Sequence, residues 1–196
     1  MNDLFAQPGD ATALTPEERE GLKQTWITTR DDLNEAEQVN IEKALAWTAR
    51  IGDREFLTEE FVFDLHTRMF GDVWTWAGTR RTTGKNIGVD PPQIYIRLGT
   101  LLADARHWSQ THVYPPDEIA VRLHHGLVFI HIFPNGNGRH ARLMADLVIV
   151  QLGGEPFTWG GRGTLQDIGE LRHQYIHALK RADVHDFDEL LAFARS

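Results

Sequence analysis

Two stretches of the chain with helical apolar spacing meet at a short turn, and this turn restricts how the second half of the chain can fold. The turn, residues 133–136, contains Pro134 and Gly136, which interrupt regular helices. Apolar side chains recur every three or four residues on both sides of it. The sequence therefore predicts one helix that ends near position 131 and a second that runs from about 137 to 152. The apolar positions are Ile119, Leu123, Leu127, Val128 and Ile130 before the turn, and Ala141, Met144, Ala145, Val148, Ile149 and Leu152 after it.

Helix-start signals recur through the rest of the chain. Thr15-Pro16-Glu17-Glu18 has a capping threonine, a first-turn proline and a glutamate placed to complete a capping box. Helices are predicted over about 31–50, from 58, from 94, over 165–181 and over 187–194. Residues 79–93 lack a helical period and carry two glycines and two prolines, which predicts a loop or a short hairpin. We predict an all-α helical bundle with a small hairpin, with residues 1–29 as an N-terminal arm and short helix, and 30–196 as one domain.

Composition excludes several classes of function. The chain has no cysteine, which removes disulfides, thiolate metal sites and cysteine nucleophiles. The formal net charge of -8 argues against a nucleic-acid partner, because such binding depends on neutralising phosphates with Lys and Arg. There is no apolar run of the roughly 20 residues that span a bilayer, and the first residues lack the pattern of a signal peptide. We expect a cytoplasmic protein with no membrane contact.

The segment from 131 to 142 is the part of the chain best suited to chemistry. A helix that begins in a Gly/Asn-rich turn presents free N–H groups and a positive dipole end, which together bind anions. Gly136 and Gly138 allow the backbone to approach a ligand closely. Arg139 and Arg142 stand three residues apart, so both face the same anion, and guanidinium groups match phosphate oxygens. The segment predicts a site for a diphosphate or triphosphate.

His131 lies at the edge of this predicted anion site. An imidazole with an ordinary pKa of about 6.5 can serve as a general base near neutral pH. No cysteine or serine stands beside it in the sequence, so the group it activates is expected to be a hydroxyl of an incoming substrate. His124, His125 and His140 are near in sequence, but their spacing is unsuited to a zinc site, and we expect packed or solvated positions for them.

The segment resembles the signature of the Fic family, His-x-Phe-x-(Asp/Glu)-Gly-Asn-Gly-Arg-x-x-Arg. Every fixed position from His131 to Arg142 matches except Asn135. The Trp74-x-Trp76-Ala77-Gly78-x-x-Arg81 run and the loop after it also resemble segments that precede the signature in such proteins. The likeness covers roughly residues 30–180, and within the family it is greatest to the bacterial branch called mobile mystery protein B.

The resemblance implies a protein adenylyltransferase. His131 would take the proton of a Tyr, Thr or Ser hydroxyl of a protein substrate, and that oxygen would attack the α-phosphate of ATP. A loop over about 82–90, the flap, would align the target through main-chain hydrogen bonds. The residues that would hold the nucleotide phosphates are Gly136, Asn137, Gly138, Arg139 and Arg142. A toxin-like role with an inhibitory partner protein is a further expectation for this chain.

Asn135 is the one departure from the signature. The family places Asp or Glu there to hold Mg²⁺, and an amide offers that cation an oxygen without charge. We therefore expect Asn135 at the metal position to weaken metal binding and activity.

Two other functions stay open. Doc-type relatives transfer the terminal phosphate instead, although Gly138 and Arg142 are absent from their motif. A weak nucleotide-binding module is the other alternative.

Glu35 or Glu37 would be the inhibitory glutamate that pairs with Arg142 in many relatives.

Overall fold

The protein is described here as a computed structural model covering residues 4–5, 12–52, 54–161 and 169–196. Within these residues eight α-helices form and no β-strand does, so the all-α prediction is confirmed. None of the helices in these ranges combines the length and apolar character that a membrane crossing requires. The helices are α1 (Pro16–Arg19), α2 (Arg30–Thr48), α3 (Glu59–Phe70), α4 (Ile94–Thr111), α5 (Pro116–Ile130), α6 (Asn137–Gln151), α7 (Glu170–Ala182) and α8 (Asp188–Arg195).

The predicted helix starts are found at their capping residues. Thr15 and Glu18 form the full capping box of α1, and Thr58 caps α3 through a hydrogen bond from the Phe61 amide. Helix α2 has an equivalent box between Thr29 and Asp32. The prediction for 165–181 is met by α7 from residue 170 onward, while positions 162–168 lie outside the described residues.

Helices α5 and α6 form the centre of the molecule and share its most extensive interface. Each contributes to two apolar clusters, one with α2, α3 and α4 and one with α7 and α8. On α5, Leu123 and Leu127 enter the first cluster, and Ala120 and Val121 enter the second. Because both helices are packed on two sides, the short turn between them is held by the whole core.

The segment where we allowed for a hairpin is irregular. Between residues 79 and 90 there is no strand, and the chain then enters a short 3-10 turn over Pro91–Gln93 that leads into α4. Its Gly88 has a φ of 97°, which L-amino acids with side chains rarely adopt. The loop is held by side-chain contacts from elsewhere in the protein, described below.

Candidate active site

His131 follows α5 directly and has a left-handed backbone, with φ 55° and ψ 65°. Its amide donates to the Leu127 carbonyl at 3.1 Å, so it closes the helix. Glycine usually takes this position, because a Cβ there costs roughly 1–2 kcal/mol. Backbone strain at a titratable residue is a common property of functional sites.

The imidazole of His131 is buried, with 6% of the residue exposed. Its Nε2 lies 3.0 Å from the hydroxyl oxygen of Thr12. Burial first, and then the positive charges of Arg81 and Lys85, lower the pKa of His131 to about 4, while the Val128 carbonyl opposes this. His131 is therefore neutral at pH 7 and able to accept a proton.

Arg81 fixes the backbone around His131. It is 1% exposed, and its Nε donates to the His131 carbonyl at 2.5 Å. Its Nη1 donates to the Thr83 carbonyl at 2.9 Å, and Nη2 donates to the carbonyls of Val89 and Ile130. Because a buried charge needs several acceptors to be tolerated, this one side chain ties the 79–90 loop to the end of α5.

The turn after His131 is closed by the side chain of Asn137. Its Nδ2 donates to the Phe133 carbonyl at 2.8 Å, and its Oδ1 accepts from the Phe133 amide at 2.9 Å. One donor and one acceptor of the Asn137 side chain are thus used within the turn. The backbone N–H of Asn137, at the start of α6, is the group placed to meet an anion.

His66 supports the same turn from α3. Its Nδ1 accepts from the Gly78 amide at 3.0 Å, so Nε2 carries the proton that is donated to the Asn135 carbonyl at 3.1 Å. The ring stacks on Phe133 with centroids 3.6 Å apart. Burial is the main reason that the pKa of His66 lies well below its ordinary value. His66 is therefore neutral, with its proton on Nε2, and it supports the turn through Phe133 and Asn135.

The N-terminus of α6 opens into the site. Gly136 precedes it with φ 80°, and a Cβ there would lie 2.7 Å from the ring of Phe70. The first hydrogen bond of the helix runs from the His140 amide to the Gly136 carbonyl at 3.0 Å. The amides of residues 137–139 precede that bond, and no side chain caps the helix. These amides are the donors that an anion at a helix start uses.

Arg139 forms an ion pair with Glu37 of α2. Its Nη1 lies 2.7 Å from Glu37 Oε2, and the other carboxylate oxygen accepts from the indole of Trp74 at 2.7 Å. We expected Glu35 or Glu37 to pair with Arg142. Glu37 does pair with an arginine, but that arginine is Arg139, so the predicted partner was wrong. In the folded chain the first arginine, one helical turn earlier, is the one that faces α2.

Arg142 instead packs against α7. Its guanidinium lies 5.7 Å from the ring centroid of Tyr175, whose hydroxyl shares a 3.0 Å hydrogen bond with Nε2 of buried His124. Burial lowers the pKa of Arg142, while Tyr175 and Asp146 oppose that change. Burial also raises the pKa of the Asp146 carboxyl, to about 6. The hydrogen bonds that its Oδ1 accepts from the Trp159 indole and the Phe157 amide oppose this change.

His131, the start of α6 and the two arginines line one cavity of about 700 Å³. The sequence-predicted residues that line it are His131, Asn135, Gly136, Asn137, Gly138, Arg139 and Arg142. The wall opposite the α6 start comes from α7, including Tyr175, Ile176 and Leu179. The structure thus brings all the predicted site residues to one concave surface.

Residues 56–149 match the model of the Fic/DOC family. These residues form a Fic/DOC family domain. It is similar to the protein adenylyltransferase Fic of Drosophila grimshawi, with 29% identity over 141 residues, which is 70% of this chain and 28% of that protein. The chain therefore spans less than a third of the length of that curated relative.

Solved Fic structures share the fold. Fic-1 of C. elegans, residues 134–508, superimposes with a TM-score of 0.63 at 23% identity, covering 90% of this chain and 50% of that one. The BepC protein of Bartonella tribocorum, solved with bound AMPPNP, gives a TM-score of 0.67 at 15% identity and covers 92% and 97%.

The Fic metal position is poorly suited to a resident cation in this chain. Asn135 offers one neutral oxygen, and that Oδ1 already accepts from the Gly136 amide at 2.6 Å. Among the residues described, no group of three or more His, Asp or Glu side chains is placed to hold a metal ion. The donor set therefore does not fit a protein-held Mg²⁺.

Sequence reasoning missed Thr12 and Tyr175 of this site and gave no role to Arg81. Thr12 reaches His131 from a segment that carries no recognisable pattern. Arg81 was noted only as part of the resemblance, and nothing in the sequence separates a buried arginine from a surface one. Tyr175 lies on α7, and its place at Arg142 depends on how α7 packs across α5.

Proposed function

We propose that this chain transfers the adenylyl group of ATP to the hydroxyl of a Tyr, Thr or Ser side chain in a protein. The observation that supports it best is a single cavity holding a neutral histidine, a helix N-terminus and two arginines. Its volume of about 700 Å³ is in the range of small-molecule sites. The name of the Drosophila grimshawi relative supports the reaction class, and AMPPNP bound to the Bartonella protein supports the nucleotide.

His131 is the general base of this reaction. Nε2 accepts the proton of the target hydroxyl, so the ring's own proton is on Nδ1, a buried atom that makes no hydrogen bond of ordinary geometry among the described residues. The target oxygen then forms a bond to the α-phosphorus of ATP, and the bond from that phosphorus to the bridging oxygen breaks. Pyrophosphate leaves with the electron pair. A pKa of about 4 keeps His131 unprotonated at physiological pH but also weakens it as a base, because a general base works best when its pKa is near the operating pH.

The start of α6 binds the phosphates. Backbone N–H groups of Asn137 and Gly138 donate to phosphate oxygens, and that of Gly136 joins them once it releases Asn135 Oδ1. Arg139 and Arg142 offset the charge that builds on the departing pyrophosphate. Arg142 is already held beside Tyr175. Arg139 has to leave or share Glu37 to take part.

The loop over 82–90 presents the target. Ile87 is 42% exposed, and a Cβ added at Gly84 would have no atom within 4 Å, so this part of the loop is accessible. An extended target segment adds main-chain hydrogen bonds along this loop. Because Arg81 joins the loop to His131, a target held there has its hydroxyl positioned relative to the base.

Mg²⁺ arrives with ATP as part of the substrate. The phosphates hold the ion, and Asn135 adds no charge to it. This arrangement predicts a slow enzyme that improves when the carboxylate is restored, as Asn135→Asp.

The test is an incubation with Mg²⁺ and ATP labelled at either the α- or the γ-phosphate, with cell extract as the source of targets. The variants are wild type, His131→Ala, Asn135→Asp and His112→Ala. His112 is the matched control, because it also ends a helix in the left-handed conformation, at φ 55°, but is exposed at the end of α4.

We expect α-label on protein, unchanged in His112→Ala and reduced at least about 100-fold in His131→Ala. Label from the γ-position alone would establish phosphotransfer of the Doc type. Nucleotide binding without label in any variant, including Asn135→Asp, would leave a binding module.

A further inference from the structure

The hydroxyl group of Thr12 occupies the place where a substrate hydroxyl is expected. Its Oγ1 is 3.0 Å from Nε2 of His131, a normal hydrogen-bond length for a base and the proton it accepts. Thr12 is 6% exposed and lines the same cavity as the N-terminus of α6. An acceptor hydroxyl, the base and the anion site are therefore all supplied by one chain.

The segment from 12 to 18 is held across the site by several contacts. The Asn135 amide donates to the Thr12 carbonyl at 3.5 Å, and Lys85 donates to the Ala13 carbonyl at 2.9 Å. Leu14 is buried in the core. The segment thus lies against both the signature turn and the 82–90 loop, as an extended target is expected to do.

Glu18, at the C-terminal end of this segment, binds two side chains of the 82–90 loop. Its Oε1 accepts from the Thr83 hydroxyl at 2.9 Å, and its Oε2 pairs with Lys85. The same carboxylate completes the capping box with Thr15. Since Lys85 and Glu18 are both nearly buried, this anchor limits how far Thr12 moves from His131.

We propose that Thr12 is an intramolecular acceptor, so that the chain adenylylates itself at this residue. This inference rests on the proposed function. The Thr12 O–H proton passes to Nε2 of His131, an Oγ1–phosphorus bond forms at the α-phosphate, and pyrophosphate leaves with the electron pair of the broken bond. The product is a phosphodiester between Thr12 and AMP. No further reactant is needed besides ATP.

The experiment uses the purified full chain with Mg²⁺ and α-labelled ATP, with no other protein present. Wild type, Thr12→Ala, Thr12→Ser and His131→Ala are compared by label and by intact mass, and the modified residue is located by peptide mapping. Thr12→Ser keeps a hydroxyl and is the matched control. Each variant is also incubated with cell extract, so that transfer to other proteins is scored separately.

We expect one AMP per chain at residue 12 in wild type and in Thr12→Ser, and a loss of at least about 100-fold in Thr12→Ala and His131→Ala. The first-order rate should not change when the protein is diluted tenfold. Label that survives Thr12→Ala, or extract proteins labelled while Thr12 stays unmodified, would overturn this inference and leave the proposed function standing. No label on the chain or on extract proteins, even with Asn135→Asp, would overturn both.

Discussion

Glu37 Oε2 lies 2.7 Å from Nη1 of Arg139, and it joins the second helix to the first arginine of the signature segment. The carboxylate is buried and also accepts from Trp74. Arg139 therefore reaches a nucleotide only at the expense of this pair.

Replacing Glu37 with Gln should strengthen ATP binding. The amide oxygen still accepts from Trp74, but the ion pair is gone, so Arg139 is released to the phosphates. We expect roughly a tenfold lower dissociation constant, which is about 1.4 kcal/mol. Titration calorimetry measures it, with Glu35→Gln on the exposed side of the same helix as the control. Equal affinity in the two variants would show that the pair does not restrain Arg139.

Replacing Gly88 with Ala should displace His131. A Cβ at Gly88 would lie 2.5 Å from Cβ of His131 and 2.7 Å from Nη2 of Arg81, at a φ of 97°. Gly84→Ala is the matched control in the same loop, because its Cβ would have nothing within 4 Å. We expect Gly88→Ala to lose at least about 2 kcal/mol of unfolding free energy and most of the transfer activity, and Gly84→Ala to stay within about 0.5 kcal/mol. Urea unfolding and α-label transfer give the two readouts, and similar behaviour of the pair would refute the close packing.

Replacing Arg81 with Lys should lower both stability and activity. An ammonium group cannot copy the fork that meets the carbonyls of Thr83, Val89, Ile130 and His131. We expect a loss of about 2–4 kcal/mol in unfolding free energy, because buried carbonyls lose their donors. Arg80→Lys is the neighbouring control, since Arg80 stacks on Tyr95 instead. A thermal unfolding midpoint equal to that of Arg80→Lys would contradict the role given to Arg81.

The transfer rate should keep its value well below neutral pH. Burial and two cations lower the pKa of His131 to about 4, so the neutral base predominates above that value. The acid limb of kcat/KM should therefore centre near pH 4 and not near 6.5. The rate is measured from pH 3 to 8, with circular dichroism at each pH to confirm that the protein is folded. A limb near 6.5 in folded protein would mean that burial and the two cations do not lower the pKa of the catalytic base.

Stability should fall as the pH drops from about 6.5 towards 4. The pKa values of His66, His124, His131 and His140 are all lowered by burial, so the unfolded chain binds more protons than the folded one in this range. Each such proton contributes a slope of about 1.4 kcal/mol per pH unit. Asp146 acts oppositely, because its pKa is raised to about 6 and its folded form binds the extra proton. Urea unfolding at several pH values tests this, and a flat profile would show that the buried histidines are hydrated.

The helices and the signature turn could be predicted because their signals are local. Capping residues such as Thr15 and Thr58 mark helix starts within a few positions, and the residues from His131 to Arg142 are contiguous, so any fold that forms the turn brings them together. The partners of that segment could not be predicted in the same way. Whether Glu37 meets Arg139 or Arg142 depends on the rotation of α2 against α6, and distant packing sets that rotation.

Four carbonyl groups from two chain segments converge on one guanidinium at Arg81. Because one guanidinium is hydrogen-bonded to both segments, a displacement of the 79–90 loop also displaces the backbone of His131. Under the proposed function, a target peptide bound to this loop would shift the imidazole according to how it is seated. Target selection would then follow from the alignment of the base.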